Sequence, residues 1–127
     1  MKIYGVGTDI VSIDRIKKSV KNKKFLTRVF NSKEISKCNS VKNLYHCFAK
    51  RFAAKEAFSK AFGTGISRGI NLNEIIVQNN NAGKPYLIFE GDTQRLIKKK
   101  FKSKKIVTSL SLSDDSKYAV AFVTISL

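Results

Sequence analysis

A long stretch without glycine or proline most constrains the fold of this 127-residue chain. It runs from about Leu44 to Phe62, is rich in alanine, phenylalanine and lysine, and stops at Gly63. Such residues favour a helix, and glycine commonly ends one. The sequence therefore predicts one long helix near the middle of the chain.

Shorter elements are predicted on the amino-terminal side of this helix. Residues 2–10 read as a strand, and a short helix is expected over about 13–21. A second short helix is expected to open at Asn31 or Ser32, because Asn31-Ser32-Lys33-Glu34 resembles a capping box. The first half is thus one strand followed by helices.

Strands dominate the second half. Residues 75–78 and 86–89 flank the turn-forming segment 79–84, which predicts a hairpin. A helix is expected over about 91–101, followed by an alternating strand from Ile106 and a last strand, residues 118–125, that is apolar on both faces. Such a strand is typical of the centre of a sheet or of an interface. The pattern predicts an α+β fold, a mainly antiparallel sheet with a long central helix, in a single domain over residues 1–127.

The charge of the chain indicates an anionic partner. A formal net charge of +16 and a pI near 10.1 fit nucleic acid, a phosphorylated small molecule or an acidic protein, and equally a lysine-rich solvated surface. The chain contains no run of about 18 apolar residues, so no membrane span is expected. Its first residues lack the pattern of a signal peptide. Cys38 and Cys47 have no metal-binding spacing, so we expect a reduced, cytoplasmic protein.

Asp9 is the first carboxylate in an unusual position. It lies at the end of the first predicted strand and shares one face with Gly5 and Gly7. Glycines leave the backbone open, so a bulky ligand could approach the carboxylate there. The alternative is that Asp9 caps the following helix.

Glu56 is the second carboxylate in an unusual position. On a helical wheel it falls inside the apolar stripe of the long helix, near Phe48 and Phe52, where a carboxylate is costly unless it is paired or binds a metal. A pair with Lys60, four residues on, explains the charges but not their apolar setting. If Asp9 and Glu56 meet across the strand–helix interface, they could bind Mg²⁺ while Lys60 faces a phosphate. Such a site would suit phosphoryl transfer.

Two segments carry a resemblance to a known family. Residues 4–11, YGVGTDIV, resemble the opening G-x-D-I signature of the AcpS-type 4′-phosphopantetheinyl transferases, and residues 51–61, RFAAKEAFSKA, are similar to their R-F-A-A-K-E-A-x-x-K-A motif. Segments 63–66, 83–85 and 111–121 match in order and spacing. The resemblance therefore covers the full chain.

The resemblance implies a reaction in fatty acid biosynthesis. A serine of an acidic acyl-carrier protein attacks the β-phosphate of coenzyme A, and 3′,5′-ADP leaves. Carried over by position, Asp9 and Glu56 are the Mg²⁺ ligands and Lys60 contacts the diphosphate, while Glu56 or a metal-bound water removes the serine proton. A homotrimer with sites between subunits is also implied. The expected coenzyme A cleft contains Arg51, Gly63, Gly65, Gly83, Lys84 and Pro85.

The resemblance also implies a docking surface for the carrier protein. The cationic residues cluster in and after the first helix, with an aromatic anchor among them. The alternative is that the aromatic ring is core and the lysines are merely solvated, as we expect for the run from Lys98 to Lys105. The implied docking residues are Arg15, Lys21, Lys24, Phe25 and Arg28.

One position departs from the family pattern. Many members carry histidine where this chain has Asp114, and a carboxylate there disfavours a phosphate unless a cation intervenes. We expect Asp114 and Asp115 to be turn residues, and His46, the only histidine, to be structural. Nucleic-acid binding is not expected, because Tyr118 and Phe122 offer little of the pattern in which aromatic residues interleave with arginines.

Overall fold

The computed structural model describes residues 2–63 and 69–127. The long helix predicted over Leu44–Phe62 is present, and strands and separate helices form the predicted α+β fold. The elements in chain order are β1 (Ile3–Ser12), α1 (Ile13–Ser19), α2 (Lys23–Val29), α3 (Ser32–Asn39), α4 (Leu44–Phe62), a 3₁₀ turn (Leu72–Glu74), β2 (Ile75–Asn79), β3 (Pro85–Phe89), α5 (Gly91–Lys100), β4 (Val107–Asp114) and β5 (Tyr118–Ser126).

The strands form two antiparallel sheets rather than one. β1, β5 and β4 make a three-stranded sheet in that order, and β2 pairs with β3 separately. β5 is therefore the central strand, as its two apolar faces predicted. One face packs inward through Ala119, Ala121, Val123 and Ile125, whereas the other face of the sheet leaves apolar side chains exposed.

α4 lies directly on β1 and β5. Its alanines, Ala53 and Ala57 among them, are fully buried. A Cβ atom at Gly5 would overlap the carbonyl oxygen of Ala61, and one at Gly7 would overlap that of Ala57. The expectation that these glycines leave room for a ligand is wrong, because the backbone of α4 fills the space.

The amino-terminal helices follow the local signals only in part. Asn31 and Glu34 form the predicted capping box at the start of α3. The helix predicted over about 13–21 ends at Ser19, and α2 follows as a separate helix capped by Asn22. Ser12, whose hydroxyl accepts from the Arg15 amide, caps α1. The alternative in which Asp9 is the cap is therefore wrong.

The two cysteines are joined in a disulfide. Cys38 on α3 and Cys47 on α4 are both buried, with their Cα atoms 5.4 Å apart. The prediction of two reduced cysteines is wrong because the chain folds back between α3 and α4 and brings the thiols together. Within residues 2–63 and 69–127, no helix has both the length and the apolar character needed to cross a bilayer.

Candidate active site

The second half of β1 positions Asp9 beneath α4. Asp9 pairs with Ala121 in the central strand and lies on the same strand face as Gly5 and Gly7. Because these glycines let the helix backbone approach so closely, the carboxylate reaches side chains on the last turns of α4. The glycines therefore act on the site through packing.

Lys60 joins α4 to the second half of β1. Its Nζ atom donates to the Thr8 carbonyl oxygen at 2.9 Å and to Asp9 Oδ1 at 3.2 Å. The Lys60 side chain is 57% exposed and that of Asp9 is 17% exposed. An ion pair this open to water contributes little to stability. Because its side chain is exposed, the ammonium group is accessible to a ligand.

Glu56 completes the cluster one helical turn before Lys60. Burial raises the pKa of its carboxyl group, the negative charge of Asp9 raises it further, and the positive charge of Lys60 opposes both. Glu56 is half-buried at the edge of the apolar face, close to the predicted position within it. The two carboxylates therefore repel each other, which a bound cation would relieve.

This donor set fits a magnesium ion that is completed by a ligand. In the part of the chain that is described, no group of three or more His, Cys, Asp or Glu side chains could hold a metal ion. Mg²⁺ is commonly bound through one or two carboxylates, with waters and substrate phosphates filling the other positions. Asp9 and Glu56 could hold it in this way, with Lys60 beside them.

Two glycines of the expected cleft follow α4. Gly63 ends the helix in the left-handed region, at φ +96°, three residues after Lys60. Lys100 Nζ donates to the Phe62 carbonyl oxygen at 2.7 Å and so satisfies one terminal acceptor of the helix. Gly65 lies outside the described residues.

The other members of the expected cleft line a separate cavity of about 950 Å³. It lies between the first half of α4, the turn after β2, and β4. Arg51, Gly83 and Pro85 line it, whereas Lys84 does not. The remaining lining residues are Lys37, Val41, Lys42, Asn43, His46, Cys47, Lys50, Asn79, Asn80, Asn81, Leu110, Ser111, Leu112 and Asp114.

Arg51 is the buried cation of this cavity. Its guanidinium donates to Asn79 Oδ1 at 2.9 Å and to Cys47 Sγ at 3.1 Å, and among the described residues its buried Nε has no partner. Burial lowers the pKa of Arg51, and the charge of Glu34 partly offsets this. Arg51 and Lys60 are nine residues apart, which places them half a turn apart around the helix. One phosphate cannot contact both in a single chain.

A buried ion pair on α4 escaped the sequence analysis. Lys55 Nζ contacts Glu34 Oε1 at 2.6 Å and also donates to the carbonyl oxygens of Leu72 and Ile75, with both charged side chains fully buried. Burial lowers the pKa of Lys55 to about 8, although Glu34 opposes the shift. In the sequence, the indication that Lys55 lies on a buried face was that it directly follows two alanines, Ala53 and Ala54. Both alanines are buried in the structure.

Asp114 is not the turn residue that the sequence predicted. Asp115 is the turn residue, since its carboxylate accepts from the amides of Lys117 and Tyr118, and these bonds lower its pKa. Asp114 instead ends β4 and lines the cavity, where Oδ2 lies 2.6 Å from His46 Nδ1 and Oδ1 lies 3.5 Å from Lys50 Nζ. His46 thus belongs to the cavity as well.

The expected docking residues lie on α1, on α2 and in the turn between them. Phe25 is half-buried, and its ring packs 6.1 Å from that of Phe52 and 6.5 Å from that of Phe30, measured between centroids. It also lines a shallow cavity with Lys24 and Arg28, so it is both the edge of the core and an apolar patch among cations. Arg15 and Lys21 are exposed outside this cavity.

Comparisons with known proteins agree over nearly the whole chain. A sequence model described as the 4′-phosphopantetheinyl transferase superfamily matches residues 5–123. The holo-[acyl-carrier-protein] synthase of Pelagibacter ubique is 46% identical over 123 residues, covering 97% of this chain and 96% of that protein.

Two crystal structures extend the similarity to the fold. The holo-[acyl-carrier-protein] synthase of Neisseria meningitidis aligns with a TM-score of 0.85 at 35% identity, over 98% of this chain and 99% of that chain. The Bacillus anthracis synthase, in complex with coenzyme A (3′,5′-ADP), aligns with a TM-score of 0.80 at 35% identity, over 98% and 97%. Sequence and fold therefore point to the same family.

Proposed function

Because the chain belongs to the 4′-phosphopantetheinyl transferase superfamily, we propose that it transfers the 4′-phosphopantetheine group of coenzyme A to a serine of an apo-acyl-carrier protein. The serine oxygen forms a bond to the β-phosphorus, and the bond from that phosphorus to the bridging oxygen breaks. The products are the holo-carrier protein and 3′,5′-ADP. The observation that carries the proposal is the convergence of Asp9, Glu56 and Lys60 between β1 and α4.

Asp9 and Glu56 would hold Mg²⁺ against the diphosphate. When bound, the ion would withdraw charge from the phosphoryl oxygens, the main requirement of phosphoryl transfer. Lys60 would exchange its contact with Asp9 for a phosphate oxygen, since its side chain is exposed. Glu56 or a water held beside it would take the serine proton.

The cavity with Arg51 would receive the nucleotide end of coenzyme A in a trimer. Arg51 and the Asp9–Glu56–Lys60 cluster face different sides of α4, so two chains supply one site most simply. The outer face of the three-stranded sheet supports such an assembly, because Val6, Ile10 and Phe122 are 54%, 64% and 48% exposed. Apolar side chains clustered in this way are typical of an interface.

The carrier protein would dock on α1 and α2. Arg15, Lys21, Lys24 and Arg28 are exposed around the half-buried Phe25, which suits an acidic surface with an apolar anchor. The family match and both structural alignments run through nearly the whole chain, which supports one transferase domain over residues 1–127. The cytoplasmic location and the role in fatty acid biosynthesis stay predictions.

Mass spectrometry of an apo-acyl-carrier protein tests the reaction. The carrier is incubated with the purified chain, coenzyme A and Mg²⁺, and we expect a mass gain equal to phosphopantetheine on the acceptor serine. Omitting Mg²⁺ should prevent the gain. A carrier protein that remains unmodified, under conditions in which the chain is folded, would contradict the proposal.

A further inference from the structure

The cavity beside Arg51 has a strongly cationic lining with one carboxylate in it. Lys37, Lys42, Lys50 and Arg51 all line it, and among its described lining residues Asp114 is the only acid. An unpaired carboxylate would repel a phosphate bound there. The binding of an anion in the cavity therefore depends on whether the Asp114 carboxylate is paired with a cation.

Asp114 is paired on both oxygens. Oδ2 lies 2.6 Å from His46 Nδ1, and Oδ1 lies 3.5 Å from Lys50 Nζ. His46 and Lys50 are four residues apart, so both side chains project from the same face of α4. The Asp114 and His46 side chains are each 28% exposed, which keeps the pair accessible to a ligand while limiting its screening by water.

This contact fixes the role of each ring nitrogen of His46. A carboxylate only accepts hydrogen bonds, so Nδ1 is the donor to Asp114. Nε2 has no hydrogen-bond partner within residues 2–63 and 69–127, and His46 lines the cavity. A phosphate also only accepts, so the ring would contact it as the imidazolium, with an anion at each nitrogen.

Coenzyme A carries a phosphate that the transfer site does not use. Its diphosphate is assigned to the cluster of Asp9, Glu56 and Lys60, which lies apart from this cavity. The remaining group is the 3′-phosphate monoester of the ribose, which can carry two negative charges and requires several donors. A cavity with four cations and an oriented imidazole matches that group.

We infer that His46, oriented by Asp114, contacts the 3′-phosphate of coenzyme A and sets the preference for coenzyme A over 3′-dephospho-coenzyme A. The inference rests on the proposed function for the identity of the substrate. Asp114 is a positioning residue in this account, because it acts on the ligand only through His46. Asp114, which would repel a phosphate by itself, thus orients and stabilises the positively charged ring of His46 on α4.

Transfer kinetics with the two substrates test the role of His46. We expect His46→Gln to raise the KM for coenzyme A about tenfold and to leave kcat and the KM for 3′-dephospho-coenzyme A within about twofold. His46→Lys should restore most of the preference, since it returns a cation. Equal changes in KM for both substrates, or no change for either, would overturn the inference.

A double-mutant cycle tests the role of Asp114. With His46 present, Asp114→Asn should weaken coenzyme A binding, because the ring loses its orienting charge. With His46→Gln, the same change should leave binding unchanged or strengthen it, because only repulsion is removed. Equal effects of Asp114→Asn in both backgrounds would contradict the positioning role.

Calorimetric binding of 3′,5′-ADP and of AMP separates this inference from the transfer reaction. Neither titration requires catalysis, so a chain without transferase activity still reports on the cavity. We expect wild type to bind 3′,5′-ADP more tightly than AMP and His46→Gln to lose most of that difference, with an unchanged melting temperature. Equal affinity of wild type for the two nucleotides would overturn the inference.

Discussion

Two lysines of α4 each pair with a carboxylate on another element, and the two pairs have the same chemistry in opposite surroundings. Lys55 contacts Glu34 at 2.6 Å with both side chains fully buried, whereas Lys60 contacts Asp9 at 3.2 Å with its side chain 57% exposed. The lysines are five residues apart, about 140° around the helix. Burial alone therefore separates a pair that holds elements together from one that can exchange its partner for a ligand.

The buried pair is embedded in a network. Besides Lys55, the Glu34 carboxylate accepts from the amides of Asn31 and Val77, and Lys55 also donates to two carbonyl oxygens. The network ties α3, α4 and β2 together. Among the described residues, the exposed pair has one additional hydrogen bond, from Lys60 to the Thr8 carbonyl oxygen. We expect substitutions at the first pair to change stability and substitutions at the second to change activity.

Lys55→Met should give the largest change in stability. It leaves the buried charge of Glu34 without its cation, so we expect the free energy of unfolding to fall by about 3–5 kcal/mol. Urea denaturation monitored by circular dichroism measures this. The matched variant Lys60→Met should change it by less than about 1 kcal/mol. Equal destabilisation by the two variants would contradict the division between the pairs.

A double variant keeps this prediction testable if Lys55→Met does not fold. Glu34→Gln/Lys55→Met removes both charges, and we expect it to be more stable than Lys55→Met alone, since no buried charge is left unpaired. A double variant less stable than the single one would show that the charge of Glu34 is not the cause.

Lys60→Met should give the largest loss of activity among the lysine variants. The diphosphate loses a positive charge at the reacting phosphoryl group, so we expect transfer to slow by about a hundredfold or more. Steady-state transfer to a carrier protein measures this, with Lys98→Met as an exposed control on α5. Retention of wild-type activity by Lys60→Met would remove Lys60 from the site.

The pH dependence of stability should report on Lys55. Its pKa is about 8 in the folded chain and near 10.5 when unfolded, so between these values the unfolded chain binds more protons. The free energy of unfolding should therefore rise between pH 8 and pH 10.5, by on the order of 3 kcal/mol. Urea denaturation across this range measures the rise. Its persistence in Glu34→Gln/Lys55→Met would assign it to other groups.

Arg15→Glu tests a charge that belongs to neither pair and should have the smallest effect. It reverses one exposed charge of the docking surface, so we expect carrier binding to weaken by about tenfold, and less in high salt. Coenzyme A affinity should stay within about twofold. Calorimetry with each ligand separates the two, and an equal loss for both would contradict the docking assignment.

Several elements followed from local sequence signals, whereas features set by tertiary contacts did not. The Gly-free and Pro-free run of α4 and the capping box of Asn31 predicted both helices, and the apolar setting of Glu56 suggested the hypothesis that it meets Asp9. The burial of Lys55 and the side-chain direction of Asp114 depend on which elements pack against them. A pattern along the sequence does not carry that information. The prediction of ligand space beside Gly5 and Gly7 is wrong for the same reason, because the packing of α4 on β1 is a tertiary contact.

The disulfide shows this limit most clearly. Cys38 and Cys47 are nine residues apart, a spacing without a known motif, and only the reversal between α3 and α4 brings them together. Likewise, His46 was expected to be structural because the chain offers no second histidine. Its partner is an aspartate 68 positions further along the chain.

The Mg²⁺ dependence of transfer by Glu56→Gln is the most direct test of the central claim, that Asp9 and Glu56 together hold a divalent cation. We predict a loss of at least about a thousandfold at every Mg²⁺ concentration, with an unchanged melting temperature, while the exposed control Asp14→Asn behaves as wild type. A Glu56→Gln variant with wild-type transfer and wild-type half-saturation by Mg²⁺ would contradict the account.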